Sequence, residues 1–425
     1  MNGIKGYVMN KATGMMYGLN ATGLKVVKLY ITGKEREEII DTLSKDAGIT
    51  KQAEVTDFRR AIVNFLQSLM SKGFLRENTR VIDALDTSLP PILTAQLDLS
   101  WECNLKCRHC YLGENKKLVS ESLSREEWKN LIIQLRDLGV PKIAFLGGEP
   151  LLSQHLFELA RFARENDFLI YTTTNGTLIT SEICKKFLDC GFEEIDVSLD
   201  GASAKTHDFL RGKGTFPRTI KGIKNLIASG LKVKSSTVVS KINLSEISQL
   251  ILLGRELGIS RMYFNALLPG GSGSALAQYA LTLDNWIYIK SIIAAWNKQR
   301  RRPKTFGENY FLFEEATTAS DPNSCQYAGC KAGKREIIIT PDGFVAACPM
   351  LSTDRAYHTM NVRDYSLLEI WRNDPWITKL RAVSEINLTG KCVECEFKPI
   401  CKGGCHILSL WEKGALNAPD PRCPY

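Results

Sequence analysis

No run of about 18 apolar residues occurs in this 425-residue sequence, so a membrane-spanning helix is not expected. The first ten residues, MNGIKGYVMN, lack the apolar core of a secretory signal, which points to the cytoplasm. Charge of one sign is nowhere concentrated. The formal net charge is +9, but Lys and Arg interleave with Asp and Glu, and the longest basic cluster, Lys298 to Lys304, reads as a solvated helix end. Nucleic acid is therefore not an expected partner. Apolar residues are not lacking: 44% apolar and 24% charged describe an ordinary globular protein able to bury a core, and the length allows two or three domains.

Cysteine is plentiful, with 13 residues, and in a chain without an export signal that number points to metal ligation rather than a disulfide framework. The most informative stretch is CNLKCRHC, in which Cys103, Cys107 and Cys110 stand in CxxxCxxC spacing at the end of an apolar run. Three thiolates so spaced can hold an iron-sulfur cubane by three irons and leave the fourth open for another ligand. A zinc knuckle is the alternative reading.

Residues 1–85 form a small module. Two alternating runs, Ile4 to Met9 and Met15 to Leu19, flank the turn-rich Lys11 to Gly14 and predict a hairpin. Helical runs follow over Gly23 to Thr32 and Lys34 to Leu43. In a third, Val55, Phe58, Ile62, Phe65, Leu66 and Leu69 mark one apolar face that ends near Gly73. This is a winged-helix pattern, which leaves DNA binding or a dimerisation or packing role open. Asp83 to Pro91, with paired prolines, reads as a linker.

Beyond it, short apolar runs alternate with amphipathic stretches, the signature of βα units. The expected strands are Leu93–Leu99, Lys142–Leu146, Phe168–Thr173, Glu194–Leu199, Lys232–Val239 and Arg261–Asn265. Six such strands predict an α/β fold, a partial (β/α)6 TIM-like barrel over residues 92–310, with function at the strand C-termini. Ser124 and Glu127 form a capping box ahead of a helix whose buried face is Trp128, Leu131, Ile132, Leu135 and Leu138. Four motifs fall at strand ends: CNLKCRHC, GGEP (Gly147 to Pro150), TTNG and SLDG.

Together these motifs resemble the radical S-adenosylmethionine superfamily. The resemblance implies that the amine and carboxylate of S-adenosylmethionine chelate the open iron, and that an electron from the cluster releases a 5′-deoxyadenosyl radical that takes hydrogen from substrate. It implies cofactor contacts from Gly147, Gly148 and Glu149, the last pairing with the ammonium group. By motif position Ser198 and Arg211 would hold ribose and carboxylate, and Leu267 would line the adenine site. His109 stands where the family has an aromatic residue; a stacking role is expected, with a ligand or acid role left open. The other histidines singled out, His155, His207 and His358, read as surface or packing residues, and Cys184 and Cys190 as buried thiols.

Residues 321–425 carry eight more cysteines. Alternating segments around Pro341-Asp342-Gly343 predict a hairpin that brings Cys330 and Cys348 to one site, followed by CVECEFKPICKGGC and, after seventeen intervening residues, Cys423. Zinc ribbons could use the same pairs. The array is similar to the SPASM domain. That resemblance implies one auxiliary cluster on Cys325, Cys330, Cys348 and Cys405 and a second on Cys392, Cys395, Cys401 and Cys423, making three 4Fe-4S clusters in all, with full thiolate ligation suited to electron transfer. Sulfatase-maturing relatives carry an Asp base directly after the cysteine equivalent to Cys348; here that residue is Pro349, so formylglycine formation is not expected.

The string GLNATGLKVVKLYITGKEREEIIDTL resembles the PqqD-type peptide chaperone, in which a leader peptide adds to the hairpin edge and packs on the third helix. The combined expectation is a peptide maturase in three parts: a winged-helix recognition domain, the barrel, and the SPASM domain. A ribosomally made precursor bound through its leader would be oxidatively crosslinked by a thioether or carbon-carbon bond, with electrons from an external donor of flavodoxin or ferredoxin type. Epimerisation, decarboxylation and excision are the chemical alternatives, and an iron-sulfur DNA-binding regulator the alternative of another class.

Overall fold

The computed structural model describes residues 5–10, 16–75, 79–83, 89–113, 121–192, 194–307, 329–384, 386–423 and 425. Its contacts divide into two compact units, the smaller built mainly on residues 1–91 and the larger on most of 92–425.

In the smaller unit β1 (Gly6–Asn10) and β2 (Met16–Leu19) pair antiparallel, with Val8 opposite Tyr17. The expected turn residues lie outside the described residues. Helices α1 (Ala21–Ile31), α2 (Arg36–Asp46) and α3 (Gln52–Ser71) follow. Asn20 caps α1 by accepting from the Gly23 amide at 2.8 Å, satisfying one of the donors a helix start leaves unpaired. Gly73, at φ +82°, closes the turn after α3, a conformation glycine adopts without strain. Ile62, Leu66 and Leu69 of α3 pack into one core with Val26, Val27, Ile39, Ile40 and Leu43. A third strand, β3 (Thr79–Asp83), was not legible in the sequence; it pairs antiparallel with β1, so β1 is central and β2 and β3 are the edges.

The larger unit is built on a nine-stranded sheet. Six parallel strands match the expected ones closely: β4 (Thr94–Ser100), β5 (Lys142–Gly147), β6 (Leu169–Thr174), β7 (Glu194–Ser198), β8 (Val233–Val239) and β9 (Arg261–Ala266). Two extensions complete it. Beyond β9 lies parallel β10 (Lys304–Gly307); beside β4 lies β11 (Glu336–Ile339), parallel to it, followed by antiparallel β12 (Val345–Ala346). This is an α/β sheet of the partial-barrel type, with the C-terminal hairpin paired directly onto its first barrel strand.

Period-two alternation assigns the faces. Register places Gln96 beside Ala144 and Tyr171, and Thr173 beside Asp196 and Lys234, on one face. The opposite face holds Leu97, Phe145, Ile195, Val197, Met262 and Phe264, all buried. Helices cover that second face. Phe187 of α6 (Ser181–Cys190) packs on Phe192, which packs on Phe145, and a Cβ at Gly254 in α9 (Ile247–Leu257) would meet the Met262 sulfur at 2.4 Å. The first face is therefore the interior, and its lining is polar. The expected capping box at Ser124 is present, the Ser124 amide donating to Glu127 at 2.7 Å; Arg363 from the C-terminal segment also bonds Glu127 at 2.6 Å and holds its carboxyl down at about 2. Cys184 and Cys190 are buried thiols on α6, as read.

Replacing Leu66 by Ala removes the centre of the small core and should destabilise that unit by about 2–5 kcal/mol. Hydrogen exchange should show the amides of α1 to α3 losing protection while those of β4 to β9 keep theirs.

Candidate functional site

The C-terminal ends of the barrel strands converge on the loop carrying Cys103, Cys107 and Cys110, all half-buried. Three neighbours hold it. Asn104 donates to Thr177 at 2.9 Å and accepts from Asn175 at 2.8 Å, which ties the loop to the end of β6. The Arg108 amide bonds the Leu210 carbonyl at 2.9 Å while its guanidinium lies over Phe209 at 4.2 Å, which ties it to α7 (Ala204–Arg211). The Ser272 amide reaches the Cys110 carbonyl at 2.9 Å.

Gly147 and Gly148 are required by the protein's own backbone. A Cβ at Gly147, whose φ is +120°, would stand 2.1 Å from the Ser100 carbonyl oxygen, and one at Gly148 would stand 2.1 Å from that of Glu102. This contact also forms hydrogen bonds, from the Gly148 amide to Ser100 and from the Glu149 amide to Glu102, both at 2.8 Å. Glu149 is buried and accepts from the Thr174 hydroxyl at 2.7 Å, the Asn175 amide at 2.8 Å and the Leu151 amide at 3.3 Å. Burial raises its carboxyl against these bonds. Its first task is thus to brace β5 to β6; the oxygen bonded only by Asn175 keeps room for one further donor.

Asp200, in the SLDG motif, is the hub of the opposite wall and was not singled out from sequence, although the motif contains it. Arg211 donates to it at 2.5 Å, His109 at 3.1 Å and the Val238 amide at 2.8 Å. Burial acts to raise this carboxyl, but the Arg211 and His109 charges outweigh it and hold it well below the ordinary carboxylate range. Arg211 is itself buried, with a guanidinium nitrogen 4.0 Å from the Cys107 sulfur. The second ring nitrogen of His109, Nδ1, is buried without a partner among the described residues. Ser198 ends β7 on the interior face, and Leu267 is buried with Leu210 and Leu276. The sequence-predicted contacts are therefore brought round one crown, although Arg211 and Glu149 spend bonds on the protein.

Asp98, also missed from sequence, is fully buried on the interior face of β4, bonded by Gln96 at 2.8 Å and Trp101 at 3.2 Å. Burial pushes it up from 3.8 to about 6 in spite of those two bonds.

The C-terminal cysteines fall into two sets. Cys330, Cys348 and Cys405 are close enough for their charges to interact; Cys325 lies outside the described residues. Cys392, Cys395, Cys401 and Cys423 line one small pocket with Leu388, Phe397 and Tyr425. A glycine pair missed from sequence separates the barrel set from the first of these. A Cβ at Gly271 would stand 2.3 Å from the Tyr111 oxygen, next to Cys110, and one at Gly270 would stand 2.2 Å from Met350, two residues after Cys348. The donor sets suit iron-sulfur cubanes: soft sulfur ligands in threes and fours, largely shielded from water. Among the described residues no three His, Cys, Asp or Glu side chains are arranged to hold a single metal ion, and a cubane spreads its thiolates wider than one ion does. Burial, opposed by Arg211, pushes Cys107 up to about 11, so taking up metal there would release a proton.

Comparison with known proteins agrees with this geometry. The pattern of the Radical SAM superfamily matches residues 102–253, that of the SPASM iron-sulfur cluster-binding domain residues 330–396, and that of coenzyme PQQ synthesis protein D (PqqD) residues 6–75. The AdoMet-dependent heme synthase of Methanosarcina barkeri is 30% identical over 77% of this chain and 96% of its own length. Mycofactocin maturase MftC of Mycobacterium tuberculosis is 28% identical over 81% of this chain and 86% of its own. The crystal structure of Streptococcus suis SuiB bound to precursor peptide SuiA shares the fold, with a TM-score of 0.72 at 19% identity over 98% of this chain and 96% of that one. The chain belongs to the radical SAM superfamily, and within it to the SPASM-domain enzymes that carry a PqqD domain. Its cofactor chemistry is accordingly that of S-adenosylmethionine and 4Fe-4S clusters. Among the described residues no helix is long and apolar enough to cross a membrane.

Two outcomes follow. Gly148→Ala forces the GGEP loop off Glu102 and should lower stability by about 1–3 kcal/mol together with the iron retained by the purified protein; unchanged iron content would contradict the packing argument. Because the folded protein raises the Asp98 carboxyl, it favours the protonated form, and stability should fall as pH rises from about 4 through about 6, by roughly 3 kcal/mol. Denaturant unfolding across that range should show Asp98→Asn without this component.

Proposed function

We propose that this enzyme modifies a ribosomally made precursor peptide, the module of residues 1–85 holding the leader while the barrel of residues 92–310 acts on the core and the domain of residues 321–425 carries electrons. What carries the reading is the presence, in one chain, of the three-cysteine crown and a PqqD-matching module whose small sheet has two edge strands, β2 and β3. An edge strand offers unpaired backbone donors and acceptors to an extended peptide. Likeness in fold to SuiB, a protein crystallised with its precursor peptide SuiA, and in sequence to the maturase MftC supports it.

In this reading Cys103, Cys107 and Cys110 would hold the cofactor cluster, and bound S-adenosylmethionine would supply the hydrogen-atom abstraction. The chain's own residues build the enclosure. The GGEP backbone forms one wall, braced by Glu149, and His109, oriented by Asp200, would line the cofactor pocket with its Nδ1, unpartnered among the described residues, free to accept or donate. Arg211 places positive charge beside Cys107, Ser198 offers a hydroxyl from β7, and Leu267 excludes water. Cys330, Cys348 and Cys405, with Cys325, would hold one auxiliary cluster, and Cys392, Cys395, Cys401 and Cys423 the other. All-thiolate ligation would give these clusters an electron-carrying role, which favours an oxidative outcome and therefore a thioether or carbon-carbon crosslink. An external donor of flavodoxin or ferredoxin type would supply the initiating electron. A second reading, a tetrapyrrole substrate, is favoured by the heme synthase relatives.

Anaerobically reconstituted full-length enzyme, given S-adenosylmethionine, reductant and small peptides captured from its host, should form 5′-deoxyadenosine and a peptide lighter by two hydrogens per crosslink. An unchanged mass would indicate epimerisation, a lost fragment excision or decarboxylation, and turnover on a porphyrin instead of peptide the second reading. Deleting residues 1–85 should abolish peptide binding and leave uncoupled 5′-deoxyadenosine formation largely intact; equal loss of both would make the module structural.

A further inference from the structure

Asp420 is 2% exposed and is bonded by a member of each C-terminal cysteine set. One carboxylate oxygen, Oδ2, accepts the backbone amide of Cys405 at 2.8 Å, which belongs to the set with Cys330 and Cys348. The Asp420 carbonyl accepts the backbone amide of Cys423 at 2.9 Å, which belongs to the other set, and the carboxylate's charge reaches Cys392 and Cys401 of that set. Its counter-charge is Arg422, whose Nη2 bonds Oδ2 at 2.9 Å and whose Nε and backbone amide bond Oδ1 at 3.1 and 2.9 Å. The Arg422 charge reaches Cys405 as well. Other charges face one set in particular: Lys334 and Glu336 face Cys330, and Lys391 faces Cys392. The position is tightly built, because a Cβ at Gly404, which has φ +73°, would stand 2.7 Å from the Asp420 Cβ.

Both Asp420 carboxylate oxygens are taken up by donors of this chain. A charge buried in low dielectric acts over several ångströms with little screening. The reduction potential of an iron-sulfur cluster responds to local net charge, to hydrogen bonds at its sulfurs and to burial. The Cys405 amide donates to Asp420, which couples the carboxylate directly to that cysteine.

We propose that the Asp420–Arg422 pair is a positioning element that sets the reduction potentials of the two auxiliary clusters jointly, and so governs electron passage between them. The inference rests on the reading of these cysteines as two cluster sites. A negative charge disfavours the more negative, reduced form of a nearby cluster, so Asp420 lowers the potentials and Arg422 raises them.

The test is a redox titration of the full-length, anaerobically reconstituted protein, followed by electron paramagnetic resonance, with iron and sulfide counted in every sample. Asp420→Asn keeps an acceptor for the Cys405 amide and should shift the auxiliary signals to higher potential. Arg422→Gln should shift them lower, and the double variant should return them towards the unaltered values. Shifts of the same sign in both single variants, or no shift at full iron content, would overturn the proposal and leave the pair a structural clasp. Should Asp420→Asn fail to retain iron, the Arg422→Gln shift decides alone. Iron in the unaltered protein too low for two auxiliary clusters would instead overturn the reading beneath the proposal.

Discussion

A carboxylate with no access to water can stay ionised only if fixed positive charge and donors surround it, and Asp200 meets that condition with Arg211, His109 and the Val238 amide. The requirement runs both ways. Arg211 is buried as well, and it can stay there because Asp200 neutralises it, which in turn fixes a positive charge beside the Cys107 sulfur. His109, one residue before Cys110, is oriented by the same oxygen that Arg211 uses. Further support comes from beneath, where Asn243 bonds the Asp200 carbonyl at 2.8 Å and the Asp200 amide donates to His207. Burial, with Arg211 adding to it, holds His207 down at about 4, so the ring is neutral and can accept that amide. Removing any member would leave another buried charge or donor uncompensated.

The rest of the crown is held by backbone contact. Gly147 and Gly148 let the end of β5 lie on the peptide units of Ser100 and Glu102, and Gly270 and Gly271 let one loop pass between the barrel cysteine loop and the segment after Cys348. Because interiors are packed as densely as organic crystals, such contacts leave no slack for a Cβ. The cysteine positions are thereby set by main chain, whose geometry is stiffer than that of a side chain. The C-terminal segment adds to the same rigidity by pairing β11 with β4, so that the strands leading to Cys348 and to the barrel loop lie in one sheet.

Much of this was legible beforehand, for identifiable reasons. The six barrel strands were read to within about a residue because each puts mostly apolar or β-branched residues on its helix-covered face and is set off from the next by an amphipathic helical stretch. The Ser124–Glu127 cap and the 341–343 hairpin were read because their turn chemistry is local. Strand β3 was not read: TRVID has no pattern of its own and becomes a strand only by pairing with β1, some seventy residues away. Edge strand β10 was missed for the same reason. Asp98, Asp200 and Asp420 were passed over because an acidic residue in a sequence looks like surface, and only the fold shows it buried and paired.

What the sequence by itself determined is the inventory and its order: thiolates at cubane spacing, glycine pairs at strand ends, a capped-helix and strand rhythm that gives a partial barrel, and an N-terminal module of separate character. These are properties of spacing and of local backbone preference, which a linear chain carries in full. Only the tertiary structure decided which groups face one another. It gave Glu149 to the β6 hydroxyl and amide before any cofactor and turned Arg211 onto Asp200. It also divided the C-terminal thiols into two sets with Asp420 bonded to a member of each. The physical reason is that burial and partner charge set the state of an ionisable group, and both depend on contacts between residues far apart in the chain.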